Sequence, residues 1–156
     1  MDHRFMELAV RLALDNVRSG RGGPFGAVVV RDGRVIALGR NEVTMRNDPT
    51  AHAEIQAIRA ACETLGSFQL EGCELYSSCE PCPMCLGAIY WARPKAVYYA
   101  CGRDDAAAAG FDDRFIYDEL ALPDGRERKI PFMRLRVPGD EEPFFVWMRS
   151  ENKIKY

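Results

Sequence analysis

His52 and Glu54, two positions apart, and Cys82 and Cys85, three apart, are the residues of this chain whose types and spacing can do chemistry. One imidazole and two thiolates make three ligands, a set that suits Zn²⁺ over Mg²⁺ or Ca²⁺. Three protein ligands on a tetrahedral ion leave one position open, the arrangement of a catalytic site. Glu54 is then a carboxylate off the metal, placed to move protons. Together these residues predict metal-assisted hydrolysis. A structural site would need a fourth thiolate or imidazole. Cys79 is the one rival for that place, while His3 carries no partner signal. Taken alone, a His-x-Glu is ordinary surface chemistry, and a Cys-x-x-Cys is a zinc knuckle or a redox pair; their conjunction is what points to catalysis.

The elements that must position these groups follow from periodicity and turn residues. Phe5, Leu8, Ala9, Leu12, Ala13 and Asn16-Val17 follow helical spacing up to Ser19-Gly20. Ala27 to Val30 and Val35 to Leu38 read as a hairpin about Asp32-Gly33. Asp48-Pro49-Thr50 supplies helix-start residues for a second helix from about Thr50 to Leu65, stopped by Gly66. Glu74 to Ser77 is a strand. Pro81 opens a third helix that ends at Arg93-Pro94, and Ala96 to Ala100 is a further strand. Cys82 and Cys85 then share the first turn of the third helix, where the helix dipole favours thiolates. His52 lies near the start of the second helix. His52 and Glu54 diverge on a regular helix, so the pocket must lie beside its first turn.

Beyond Gly102 the pattern predicts a helical turn over Asp104 to Ala109 and a short helix over Phe111 to Leu120. A turn at Asp124-Gly125, a fifth strand over Phe132 to Val137 and a last helix over Pro143 to Asn152 complete the chain. The order of elements implies a layered α/β domain with helices on both faces of a mixed sheet.

A length of 156 residues fits one domain. A net charge of −2 offers no global basic field toward nucleic acid or an anionic membrane. No stretch approaches the roughly 20 apolar residues of a membrane span. The polar start Met1-Asp2-His3-Arg4 does not read as a signal peptide, so the cytosol is the expected compartment. Six cysteines in a chain of this size do not imply a disulfide framework. Cys62, Cys73 and Cys101 are expected as buried small apolar residues, and Cys79 as a loop thiol.

Pro24-Phe25-Gly26-Ala27, Asn41, Thr50-Ala51-His52-Ala53-Glu54 and Ser78-Cys79-Glu80-Pro81-Cys82-Pro83-Met84-Cys85 resemble the motifs of the cytidine deaminase superfamily. The H-x-E…P-C-x-x-C arrangement is that of zinc-dependent nucleobase deaminases. These motifs alone also fit tRNA adenosine deaminases and fungal-type cytosine deaminases. The segment Ala109-Gly110-Phe111-Asp112-Asp113-Arg114-Phe115-Ile116-Tyr117 and the ending Lys155-Tyr156 narrow the resemblance to the small bacterial guanine deaminases.

The resemblance implies a three-layer α/β/α sandwich with a five-stranded mixed sheet, and one zinc ion per subunit on His52, Cys82 and Cys85. It implies a single domain over 1–156 in a homodimer that exchanges the segment from about 125 to 156. The implied reaction takes guanine to xanthine and ammonia. Glu54 and Asp113 would be the proton-moving carboxylates, with Phe25, Asn41, His52, Asp113 and Tyr156 around the substrate. Glu80 would stand behind these. The stretch Gly139-Asp140-Glu141-Glu142-Pro143 departs from the family's pattern, and Glu142 is expected behind the pocket on its own chemistry rather than on the resemblance. Residue chemistry alone also allows a solvated loop carboxylate at Glu80, a helix cap at Asp113, core packing at Phe25, a turn asparagine at Asn41, a dipole partner at Glu142 and a frayed end at Tyr156. The partner is then a small purine, without membrane and without nucleic acid. Three rivals stand beside this reading: a deaminase of another base or an aminotriazine, a tRNA adenosine deaminase, and a non-catalytic zinc-stabilised interaction domain.

Overall fold

The computed structural model describes all residues from Met1 to Tyr156. They divide into two compact units, Met1–Arg114 and Phe115–Tyr156.

The first unit opens with α1 (His3–Arg18), started by Asp2, whose side chain accepts from the Arg4 amide. The hairpin β1 (Gly26–Arg31) and β2 (Arg34–Arg40) follows. It turns through Asp32 and Gly33, both at positive φ, which is the geometry a two-residue hairpin loop requires. A one-turn α2 (Val43–Arg46), absent from the periodicity, leads to α3 (Ala53–Leu65), which ends on left-handed Gly66. Then come β3 (Cys73–Cys79), α4 (Pro83–Ala92), β4 (Ala96–Cys101) and α5 (Arg103–Ala108).

The strands form one mixed sheet in the order β2-β1-β3-β4. β1 is antiparallel to β2 and β3, and β3 is parallel to β4. Because side chains alternate along a strand, the sheet feeds two cores. Val28, Val30 and Tyr76 pack with Ala9 and Leu12 of α1 on one face. On the other, Ala27, Val29, Ala37 and Leu75 meet Ala53, Ala57 and Ala61 of α3 and Ile89 and Ala92 of α4. The α/β/α layering expected from the element order is therefore present.

The alanine stripe of α3 allows close approach to the sheet. A Cβ on Gly39 would run into the Ala53 carbonyl and come within 2.6 Å of the Ala57 nitrogen. Gly26 serves α1 in the same way, against the Ala9 carbonyl and the Ala13 nitrogen. Glycine at these two strand positions sets the helix–sheet spacing that fixes where the helix starts fall.

The sheet has four strands, not the expected five. Residues 132–137 carry no regular secondary structure and join no strand, since an alternating apolar run becomes a strand only when it is seated on a partner. The second unit holds α6 (Arg114–Ala121, begun by the last residue of the first unit), a 3₁₀ turn (Gly125–Glu127) and α7 (Glu142–Arg149). Within it, Glu119 accepts from the Lys129 amide at 2.7 Å and its carbonyl accepts from Arg128 Nε at 3.0 Å. Neither α6 nor α7 buries a residue. No helix is long and apolar enough to cross a membrane.

Among the cysteines, Cys73 is buried and Cys62 half-buried. Cys101, at the end of edge strand β4, is exposed rather than buried. Cys79 is the buried last residue of β3 rather than a loop thiol.

Candidate metal centre

His52 is the residue before α3, not part of it: its backbone is extended, at φ −69° and ψ 157°. That break in the helix resolves the divergence expected for positions 52 and 54. The imidazole leaves the chain ahead of the helix while Glu54 projects from its first turn. Cys82 stands in the same relation to α4, extended at φ −66° and ψ 168°, and the helix begins at Pro83, two residues later than Pro81. Proline fits there because the first helical N–H needs no partner. Cys85 is then in the first turn and buried.

The two helix starts converge. His52 Nδ1 lies 3.5 Å from Cys82 Sγ and 3.6 Å from Cys85 Sγ. All three ligand atoms are within 4.8 Å of one another. Ligands at 2.0–2.3 Å on a tetrahedral ion stand roughly 3.5 Å apart, so the spacing fits zinc. The donor set fits as well: two soft sulfurs and one imidazole nitrogen. The nitrogen is Nδ1, a choice the sequence does not disclose.

Electrostatics agree with a cation here. The Cys85 thiol hydrogen-bonds Cys82 and holds it down to about 4, in the thiolate form. The same bond, with burial and the neighbouring Glu54, pushes Cys85 strongly up. The Cys82 bond raises His52 above its ordinary range. Two thiolates side by side require a positive charge between them.

Glu54 is 6% exposed and stands outside the ligand cluster. Its Oε1 accepts from Ser77 Oγ at 3.2 Å, and its Oε2 accepts from the Cys85 thiol at 3.6 Å. Burial raises its pKa above the usual carboxylate range, with the Cys82 charge adding to the effect.

Asn41 follows β2 and is 8% exposed. The Glu42 amide donates to the Ala51 carbonyl at 2.9 Å, which brings Asn41 beside the His52 turn. Asp113 is half-buried, and its pKa is raised by burial and then by the Cys82 charge, which places it in electrostatic range of the centre. Phe25 meets Phe111 edge-to-face at 5.0 Å and packs on the α3 core. Glu80 accepts from the Arg103 guanidinium at 2.7 Å and from the Arg103 amide at 3.3 Å, tying the Cys79–Cys82 stretch to the start of α5. That guanidinium holds Glu80 below the usual carboxylate range. In the second unit, Glu142 is the exposed acid in the first turn of α7, and Tyr156 ends the chain 72% exposed.

Ser77 is a contact to Glu54 that motif reading passed over. Its only signal in the sequence is a small polar residue in a strand that is otherwise buried.

The layered fold and the imidazole–dithiolate centre with its free carboxylate define a zinc hydrolase of the nucleobase-deaminase class. The sequence matches the cytidine and deoxycytidylate deaminase zinc-binding region over residues 1–101, and the chain belongs to that family. It is 58% identical to guanine deaminase of Bacillus subtilis strain 168 over 157 aligned positions, covering all of both chains. The fold matches the X-ray structure of guanine deaminase from Bacillus subtilis with a TM-score of 0.96, over 100% of this chain and 99% of that one. A tRNA-specific adenosine deaminase of Haemophilus influenzae is more distant, 33% identical over 99% of this chain and 88% of its own.

Proposed function

We propose that this chain is a zinc-dependent guanine deaminase, taking guanine and water to xanthine and ammonia. The observation that carries the reading is the 58% identity to the Bacillus subtilis enzyme through the last residue. The tRNA-type relative of similar coverage falls to 33%.

His52, Cys82 and Cys85 hold the ion in this reading. Bound zinc supplies Lewis-acid activation of water near neutral pH. Glu54 takes a proton from the attacking water and delivers it to the ring nitrogen beside C2. The water oxygen adds at C2 as a hydroxyl; that hydroxyl's proton, the second from water, passes to the exocyclic amine, and as the C–N bond breaks the C2 carbonyl forms and ammonia leaves. Asp113 is the carboxylate that relays that second proton. Asn41 hydrogen-bonds the purine edge, Phe25 stacks on the ring and His52 flanks it. Tyr156 closes over the substrate, and Glu80 and Glu142 act from behind these groups. A buried carboxylate suits the role of Glu54: burial makes the ionised group a stronger base toward water, and it keeps the proton it accepts until the ring nitrogen takes it.

The chain acts as one deaminase domain in a homodimer, with the segment from about 125 to 156 exchanged. Three features support this. β4 is an open edge of the sheet. Residues 132–137 lie outside any helix or ladder, with Leu135 85% exposed. α7 leaves Phe144, Phe145, Trp147 and Met148 exposed on a helix that buries nothing. A second copy covers such surfaces without a new sequence.

The deciding experiment measures ammonia release by the zinc-loaded protein from guanine, adenine, cytosine, their nucleosides, aminotriazines and tRNA. Guanine is the expected best substrate. Release from an adenosine in tRNA alone, or from no base, defeats the proposal.

A further inference from the structure

Asn16 lies on the buried stripe of α1 with Ala9, Leu12 and Ala13, and is 1% exposed. A polar amide on that face is out of place in a core. Its Nδ2 donates to two main-chain carbonyls, Asn41 at 2.8 Å and Gly23 at 2.9 Å. Its Oδ1 has no partner. An unmet buried acceptor costs stability, so an apolar residue of this size would suit the core better. What the amide supplies is a link between α1, the 20–25 loop and the end of β2.

That link surrounds Asn41. The Asn41 amide donates to the Phe25 carbonyl at 3.2 Å. Asn41 Oδ1 accepts from the amides of Gly23 at 3.3 Å and Val43 at 3.4 Å. Its carbonyl is taken by Asn16. Of its polar groups, Nδ2 alone is left without a protein partner, available as a donor. The packing is close enough that a Cβ on Gly22 would run into the Asn41 carbonyl and come within 3.0 Å of Asn16 Nδ2. The loop therefore lies flush against both asparagines.

We propose that Asn16 is the positioning residue for Asn41: it fixes the Asn41 main chain and so aims the free Asn41 amide at the purine edge. The role of Asn16 rests on that proposed for Asn41 as a purine ligand. Two hydrogen bonds hold one backbone position from opposite sides. Removing Asn16 leaves the Asn41 carbonyl without its donor and lets the side chain turn.

The test is steady-state kinetics on guanine with zinc-loaded full-length protein, comparing Asn16→Ala, Asn16→Ser, Asn41→Ala and the Asn16→Ala/Asn41→Ala double variant. Melting temperature and zinc content are read alongside. Both Asn16 variants are expected to fold, to retain zinc, and to raise KM about 10-fold with kcat changed less than about threefold. In the Asn41→Ala background the Asn16 change should add less than about twofold, because its effect passes through a side chain already gone. A KM within about twofold of wild type overturns the proposal, as does full multiplication of the two effects in the double variant. Failure of both Asn16 variants to fold also overturns it, by making Asn16 a structural residue. Unchanged guanine KM in Asn41→Ala removes the Asn41 assignment itself, and that result is separate from a failure of Asn16 alone.

Discussion

Ser77 Oγ donates to Glu54 Oε1 across 3.2 Å, joining the centre of the sheet to the first turn of α3. The carboxylate that stands off the metal is thus aimed from below by a strand side chain, not left to its own rotamers. Ser77 is 2% exposed, so the bond is shut off from bulk solvent. Ser77→Ala is expected to keep full zinc content and to lower kcat on guanine about 10-fold, the scale of one hydrogen bond to a charged group. Metal analysis beside turnover numbers checks it.

The ligand atoms belong to two separate helix starts, so the ion joins α3 to α4. Stripping zinc with a chelator is expected to abolish turnover and lower the melting temperature, and adding zinc back should restore both. His52→Ala and Cys85→Ala should each bind zinc at least tenfold more weakly and melt earlier. Calorimetry and competition with a chromogenic chelator measure the two effects.

Gly26 and Gly39 set the helix–sheet spacing. Gly39→Ala drives a methyl into the Ala53 carbonyl, one residue from His52. The expected loss is about 2 kcal/mol or more of unfolding free energy, because the obstacle is main chain and cannot rotate away. Urea denaturation of zinc-loaded protein checks it. Gly66→Ala meets no atom within 4 Å, but its left-handed φ of 60° is strained for alanine, so a smaller loss of about 1 kcal/mol is expected.

Glu74 supplies a pH dependence remote from the metal. The Tyr76 hydroxyl donates to it at 2.7 Å and Lys95 pairs with it at 3.0 Å. Those partners hold its pKa below the ordinary carboxylate value. A carboxyl depressed in the folded state contributes stability that is present above its unfolded pKa. That contribution is lost as pH falls through the folded value. Glu74→Gln should therefore melt earlier than wild type at pH 7, and the gap should close on acidification below about pH 4. Melting curves of the pair across pH 3–8 measure it.

Much of this site was legible because its chemistry is local. The His-x-Glu and Cys-x-x-Cys motifs, the turn at Asp32-Gly33 and the stop at Gly66 each declare themselves within a few residues. What periodicity cannot convey is the extended backbone of His52 and Cys82, which is set by how each helix starts against the sheet. The Asn16–Asn41 bond spans 25 positions and leaves only a polar residue on an apolar stripe as its trace. The alternation in Phe132–Val137 was real, yet a strand also needs an edge to join, and sequence does not name the edge.

The exchange of the 125–156 segment is tested by size-exclusion chromatography with light scattering, and by mixing two inactive variants. Glu54→Gln and a chain truncated before Lys153 are each expected to be inactive. Co-refolded, they should regain activity in mixed dimers, where an intact centre meets an intact tail. A fully active monomer would contradict exchange, and an active truncated chain would remove Tyr156 from the substrate's surroundings.

The most direct measurement is the stoichiometry of xanthine and ammonia formed from guanine by zinc-loaded wild-type protein and zinc-loaded Glu54→Gln. One xanthine and one ammonia per guanine are expected from the wild type, with turnover about 10²–10⁴-fold lower in the variant at unchanged zinc content. Undiminished turnover in zinc-replete Glu54→Gln, or no product from guanine with the wild type, would contradict the account.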